Sequence, residues 1–265
     1  MGGLRSIARR WLPAAARPLL RRGRGAAARG RRRLLYAGLA RSCPCCGGRF
    51  RRFLPHGPAR RPDARCPVCG SLERHRLLAL FFERRPELLR PGMRLLHVAP
   101  ERMLESRLRR VPQLRYLSGD LAGRGAVRLD LGCLPSADAR FDAIVCNHVL
   151  EHVADDRRAL RELLRVLRPG GWAVLQVPLD LQRAQSFEDA GIRDPAERAR
   201  LFGQADHVRV YGRDYPERLS EVGFALEVWS PEAELAPGST RRYGLEPGEC
   251  VHLCRRPGPA GPPAR

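Results

Sequence analysis

A chain of 265 residues is long for one average domain and short for two large ones, so one main domain with an appendage is expected. Its 49 basic and 28 acidic residues give a net charge of +21. Residues 1–65 hold 18 Arg against the single acid Asp63, which leaves residues 66–265 at only +4, so nucleic-acid binding finds no support in charge outside the N-terminus. Apolar runs such as Ala143–Cys146 and Trp172–Leu175 fall far short of the roughly 18 residues that cross a bilayer, which excludes a transmembrane helix.

Residues 1–42 carry twelve Arg and no acid, with no lasting periodic apolar face, and read as a basic, mostly disordered arm. Trp11, Leu12, Leu19 and Leu20 offer it at most a weak peripheral hold on anionic membrane. Residues 43–70 hold two Cys-Pro-x-Cys-Gly knuckles, Cys43-Pro44-Cys45-Cys46-Gly47 and Cys66-Pro67-Val68-Cys69-Gly70. Nineteen residues separate Cys46 from Cys66, and this spacing suits one tetrahedral zinc held by Cys43, Cys46, Cys66 and Cys69. Each two-residue gap lets both thiolates reach one metal, and each Gly permits the tight turn. Four protein ligands close the coordination sphere, so this zinc is expected to be structural, with Cys45 a bystander. Redox Cys-x-x-Cys pairs or disulfides of a secreted chain are the other readings of such a pattern, and no apolar signal core precedes the knuckles to favour them. A cytoplasmic location is expected.

Residues 71–92 predict a connecting helix over Ser71–Leu89, stopped by Pro91-Gly92. From there to residue 255 short apolar strands alternate with helices: Arg94–Ala99, helix Glu101–Arg110, Leu114–Leu117, Ala126–Leu129, Phe141–Cys146, a helix capped by Asp155, and Trp172–Val177. That alternation predicts a parallel α/β sheet. Leu160, Leu163, Leu164 and Leu167 share one face of the capped helix, which Arg168-Pro169-Gly170-Gly171 is expected to end. Phe224–Trp229 and Glu249–Cys254 predict two closing strands, and residues 256–265, rich in Pro and Gly, a loose tail. Cys250, His252 and Cys254 fit a last strand of mixed face.

Phe141-Asp142-Ala143-Ile144-Val145-Cys146-Asn147-His148-Val149-Leu150-Glu151-His152, followed by Leu163-Leu164-Arg165-Val166-Leu167-Arg168-Pro169-Gly170-Gly171, resembles the strand-four to strand-five segment of class I S-adenosylmethionine-dependent methyltransferases. The knuckle pair and the segment Gly203-Gln204-Ala205-Asp206-His207-Val208-Arg209-Val210-Tyr211 are similar to those of uncharacterised bacterial members of that superfamily. The resemblance, loosely over residues 93–255, implies a Rossmann-like α/β sheet, mostly parallel with an antiparallel last strand, joined here to a small N-terminal zinc ribbon. It also implies S-adenosylmethionine as cofactor. Asp120 matches the acid that accepts the ribose hydroxyls, a task for which two carboxylate oxygens are apt. Asp130 and Leu131 match the loop at the adenine, and Asn147 and His148 the stretch beneath the methionine portion. His97, Ala99 and Glu101 occupy the first-strand loop, where the family has an acid and Gly-x-Gly; Glu101 is the nearest acid for the ammonium group. His97 alone, in an apolar strand, also reads as a core histidine.

His148-x-x-Glu151-His152 formally matches an inverted zinc-protease pattern, but it follows a strand directly and precedes the cap at Asp155, so no helix should carry it. The polar segment Phe202–Tyr215 reads as a cover for the site. His207, oriented by Asp206, is the first candidate for a base that deprotonates an unidentified methyl acceptor, with His152 and His148 behind it. Two other readings share these features: a cofactor-poor binding module docking through its ribbon, and an RNA methyltransferase.

Overall fold

The computed structural model describes residues 27–57, 60–123 and 125–258. The expectations for Trp11, Leu12, Leu19 and Leu20 and for residues 259–265 lie outside them. The described part of the arm is ordered, which corrects its reading as a loose tail: residues 27–35 are helical and β1 (Ala37–Ser42) pairs antiparallel with β2 (Arg49–Phe50). Composition misled here because the segment's order comes from helical and strand backbone pairing, which an Arg-rich composition does not forbid.

The chain divides into two compact units, one comprising the sequence up to Arg76 together with Arg241–Gly244, the other Leu77–Thr240 and the sequence from Leu245. In the first, β1 and β2 are joined by a second hairpin, β3 (Leu54–His56) with β4 (Arg61–Arg65). Cys43, Cys66, Phe50 and Phe53 form its small core. Arg76 is fully buried there and donates to the carbonyls of Ala64, Ser71, Tyr243 and Gly244, with its guanidinium 4.3 Å from the Phe53 ring centre. One side chain thus satisfies four backbone acceptors that a core of this size cannot pair by sheet ladders alone.

The connecting helix spans Glu73–Arg84, five residues shorter at its C-terminus than expected. Pro86, rather than Pro91-Gly92, ends it, because proline lacks the amide donor and forces the residue before it out of the helical region. A single 3-10 turn, Pro86–Leu88, follows.

The second unit is built on a seven-stranded sheet of order β12-β13-β9-β8-β5-β6-β7. Its strands are β5 (Arg94–Val98), β6 (Arg115–Asp120), β7 (Val127–Arg128), β8 (Phe141–Asn147) and β9 (Leu167–Gln176), then β12 (Ala225–Trp229) and β13 (Val251–Arg255). All neighbours are parallel except at β13, which runs antiparallel to both β9 and β12. The expected Rossmann-like α/β architecture with an antiparallel last strand is the one observed. Every residue of β8 is buried, as befits a central strand covered on both faces.

The helix Asp156–Val166 starts where expected, with the Asp155 carboxylate accepting from the Arg158 amide at 2.8 Å. It lays Ala159, Leu160, Leu163 and Val166 onto the sheet. Arg168-Pro169-Gly170-Gly171, expected to separate helix from strand, lies inside β9. The reason is a partner: Gly170 and Gly171 exchange backbone hydrogen bonds with Arg256 at 2.9 and 3.1 Å. The Arg256 guanidinium also donates to the carbonyls of Leu164, Arg165 and Leu167, closing the helix C-terminus. The predicted tail is therefore anchored structure at its first residue.

Between β9 and β12, β10 (Phe187–Glu188) pairs antiparallel with β11 (Arg209–Val210), and the helix Pro195–Phe202 lies between them in sequence. Arg209 is 2% exposed and donates to the carbonyls of Leu150, Val153 and Ala154 and to Glu188. Asp156, also buried, accepts from the Tyr211 hydroxyl at 2.8 Å and pairs with Arg218 at 3.2 Å and Arg209 at 3.7 Å. These contacts fasten the covering segment to the chain that leaves β8.

Removing one partner of a buried ion pair strands the others without solvent, so Asp156→Ala should lower unfolding free energy by about 3–5 kcal/mol in denaturant titration. A second expectation concerns His97 on β5 and His252 on β13, both buried, whose pKa values burial holds down at about 4 against an ordinary 6.5. Between those pH values the unfolded chain binds protons that the folded imidazoles refuse, so stability should fall as pH drops from about 6.5 towards 4. Each contributes roughly 3 kcal/mol to that loss. His252→Leu should remove about half of the pH dependence of the unfolding midpoint over this window, His97 retaining the rest.

Candidate functional site

In an open parallel sheet the crevice opens at the carboxyl ends of the strands where the strand order reverses. The chain begins the sheet at β5, adds β6 and β7 on one side, then returns to add β8 and β9 on the other, so the reversal falls between β5 and β8. Ala99 and Glu101 follow β5, Asn147 ends β8 with His148 after it, and Asp120 ends β6. Five of the residues selected from sequence therefore stand at three adjacent strand ends.

Two of them have backbones in the left-handed region, Ala99 at φ 45° and His148 at φ 54°. Alanine stands here for the glycine that such a turn usually demands, and its small side chain keeps the backbone approachable. The Asn147 amide donates to Glu101 Oε2 across the reversal point, while Asn147 Oδ1 is buried without a hydrogen-bond partner. Asp120 is 8% exposed. His97 is instead a core residue: its ring is fully buried, with Nδ1 2.8 Å from the Tyr116 hydroxyl. Leu131 belongs to the hydrophobic core, and the exposed Asp130 turns its carboxylate back onto its own loop, accepting from the Gly132 amide at 2.8 Å.

A second group gathers where the chain leaves β8. His148-x-x-Glu151-His152 does not form a helix; a 3-10 turn over Leu150–His152 follows the left-handed His148. The Glu151 side chain is buried, with Oε1 3.3 Å from His148 Nδ1 and Oε2 without a partner. The covering segment adds His207, whose ring centre lies 4.7 Å from that of His152.

The expected support of His207 by Asp206 is not what the structure has. The chain turns at residues 205–206, and the Asp206 carboxylate, largely exposed, lies 3.4 Å from His152 Nδ1 instead. His207 is oriented by the Phe202 carbonyl, 3.0 Å from its Nδ1, and its Nε2 is buried without a partner. Burial lowers the His207 pKa below the ordinary histidine value, which keeps the ring neutral. Glu151 entered the sequence reading only as part of a discounted motif, and Arg209 only as part of a segment. The motif was the available signal for Glu151, whereas nothing local marks an Arg whose carbonyl acceptors lie more than fifty residues away.

In the first unit the four knuckle thiols converge, with Cys43 Sγ 3.6 Å from Cys69 Sγ and Cys46 Sγ 3.8 Å from Cys66 Sγ. Sulfurs about 2.3 Å from one tetrahedral zinc stand roughly 3.8 Å apart, so the cluster has the size of such a site. Gly47 and Gly70 take the positive φ the knuckle turns need, at 67° and 77°. The Ser71 hydroxyl lies 3.1 and 3.3 Å from the sulfurs of Cys43 and Cys69, a second layer of support. Cys45 stands outside the group and donates to the His75 carbonyl.

Comparison with known proteins adds the following. Residues 101–175 match the family described as Methyltransferase domain. The chain is 37% identical over 73 residues to a demethylmenaquinone methyltransferase of Paenarthrobacter aurescens (strain TC1), covering 28% of this chain and 25% of that protein. It is 41% identical over 61 residues to a malonyl-[acyl-carrier protein] O-methyltransferase of Pseudescherichia vulneris, covering 23% and 24%. The chain thus spans about a quarter of the length of these curated relatives. The crystal structure of the [4+2]-cyclase SpnF superposes with a TM-score of 0.51 at 18% identity, covering 84% of this chain and 100% of that one, a likeness of fold alone. Glu101, Asp120, Asn147, Glu151 and His152 lie within the matched residues, and the knuckles and His207 outside them. Residues 101–175 are thus a segment similar to methyltransferase domains, set in a Rossmann-like seven-stranded sheet.

Proposed function

We propose that this protein is an S-adenosylmethionine-dependent methyltransferase. The observation that carries the reading is the alignment of Asp120, Ala99 with Glu101, and Asn147 at three adjacent strand ends around the reversal point. The residues fit the group. Asp120 offers two acceptor oxygens to ribose hydroxyls, the left-handed Ala99 leaves room for close approach of backbone, and Glu101 with the unpartnered Asn147 Oδ1 offers acceptors to an ammonium. Bound there, S-adenosylmethionine supplies an electrophilic methyl group.

What the protein must add is alignment of the acceptor, exclusion of water and a place for the acceptor's proton. His148 is the best-placed base. Its Nδ1 faces Glu151 Oε1 at 3.3 Å, which orients the ring, and its Nε2 has no hydrogen-bond partner. The covering segment, held by Arg209, supplies the means of excluding water.

A structural zinc on Cys43, Cys46, Cys66 and Cys69 completes the proposal; it ties the two hairpins of the first unit together and leaves no coordination position for chemistry.

Titration calorimetry with S-adenosylmethionine tests the main reading. The full chain should bind, and Asp120→Ala, where circular dichroism shows it folded, should weaken binding by about 1.5–3 kcal/mol, roughly 10- to 150-fold. A folded wild-type chain that shows no binding heat would defeat the assignment in favour of a binding module. For the zinc, replacing Cys66 and Cys69 with Ser should remove one equivalent in elemental analysis, whereas Cys45→Ser should retain it.

A further inference from the structure

We propose that Glu151, His152 and His207 form a second metal site, for a divalent transition-metal ion, separate from the four-cysteine cluster and independent of the methyltransferase reading. One ligand atom from each of the three lies within 4.8 Å of the others. Ligands about 2.0–2.2 Å from a common ion stand roughly 3.4 Å apart in tetrahedral geometry, a closing that side-chain rotation supplies.

Hydrogen bonding fixes which atoms face the ion. A backbone carbonyl can only accept, so the contacts from His207 Nδ1 to Phe202 O at 3.0 Å and from His152 Nδ1 to Asp206 O at 3.1 Å put the proton on Nδ1 in both rings. Each Nε2 is left with its lone pair. Ligating histidines are commonly oriented by a carbonyl or carboxylate on the other nitrogen in this way. His207 Nε2 and Glu151 Oε2 are both buried and both lack a partner. Two acceptors cannot satisfy one another, and a carboxylate 1% exposed is costly to leave half unpaired. A cation among the three answers all of these deficits.

The halves of the site are locked without it. The Val208 amide donates to the Glu151 carbonyl at 2.9 Å, and Arg209 fastens the same strand to Leu150, Val153 and Ala154. His152, a third exposed, gives the ion a route from solvent. Two imidazoles and one carboxylate favour zinc or its first-row neighbours over magnesium and calcium, which prefer all-oxygen ligands, and three protein ligands leave coordination positions open. Glu151 then serves two neighbours, with Oε1 against His148 and Oε2 on the ion.

The test is zinc stoichiometry on the untagged full chain, equilibrated with excess Zn²⁺, desalted and measured by elemental analysis. Two equivalents are expected. His207→Gln and His152→Ala should each leave one, and the Cys66→Ser, Cys69→Ser double variant should also leave one, which an added His152→Ala change then removes. His152→Ala is at the surface, and an unchanged unfolding midpoint will show that it folds even where His207→Gln does not. A wild-type chain that holds one equivalent, or a folded His152→Ala chain that still holds two, overturns the proposal. Neither result bears on S-adenosylmethionine affinity, so the methyltransferase reading stands or falls by its own titration.

Discussion

The buried carboxylate of Asp156 is the contact on which the rest of the second unit's working end depends. It opens the helix that packs under β8 and β9, yet its Oδ2 is turned to the Tyr211 hydroxyl and to the guanidiniums of Arg209 and Arg218. Glu188 on β10 pairs with the same two Arg. Three stretches of chain, at residues 156, 188 and 209–218, therefore meet at one charge cluster. Desolvating so many ions costs several kcal/mol each, so what the cluster contributes is chiefly uniqueness of arrangement. An apolar patch would tolerate the covering segment in several registers; two guanidiniums with fixed donor directions tolerate one.

That arrangement explains why polar atoms can stand unpaired at the strand ends. Asn147 Oδ1, His148 Nε2, Glu151 Oε2 and His207 Nε2 are all buried acceptors without partners; the first three lie within five residues of chain at the end of β8, and His207 packs against His152 just after them. Unmet acceptors of this kind cost about 1–3 kcal/mol each. The left-handed backbones of Ala99 and His148 add strain at the same place, since non-glycine residues lose roughly 1–2 kcal/mol there. A ligand bound at these strand ends, as proposed above, would give such atoms partners.

Much of this was legible in sequence because it is local. The strands, the Asp155 cap and the cysteine knuckles are each specified within a dozen residues by apolar runs, capping chemistry or ligand spacing. Other parts depend on a partner distant in sequence. Arg168–Gly171 reads as a stop until Arg256 pairs with it, and Arg209 reads as one more arginine until five acceptors surround it. Asp206 beside His207 reads as a dyad, whereas the structure gives each a different neighbour. The ordered residues 27–42 were hidden by an Arg-rich composition that usually signals a solvated chain.

The motif His148-x-x-Glu151-His152 shows how backbone decides chemistry at fixed sequence. On an α-helix, positions i and i+4 share a face and both imidazoles would meet one ion. The left-handed turn at His148 and the 3-10 turn after it break that relation. His148 is then paired with one oxygen of Glu151, at the strand end beside Asn147, while His152 finds its partner imidazole on the covering segment, fifty-five residues later in His207. A pair completed across two segments, unlike one on a single helix, exists only when the cover is seated. Because Asp156 and Arg209 hold the covering segment, the charge cluster governs whether Glu151, His152 and His207 come together.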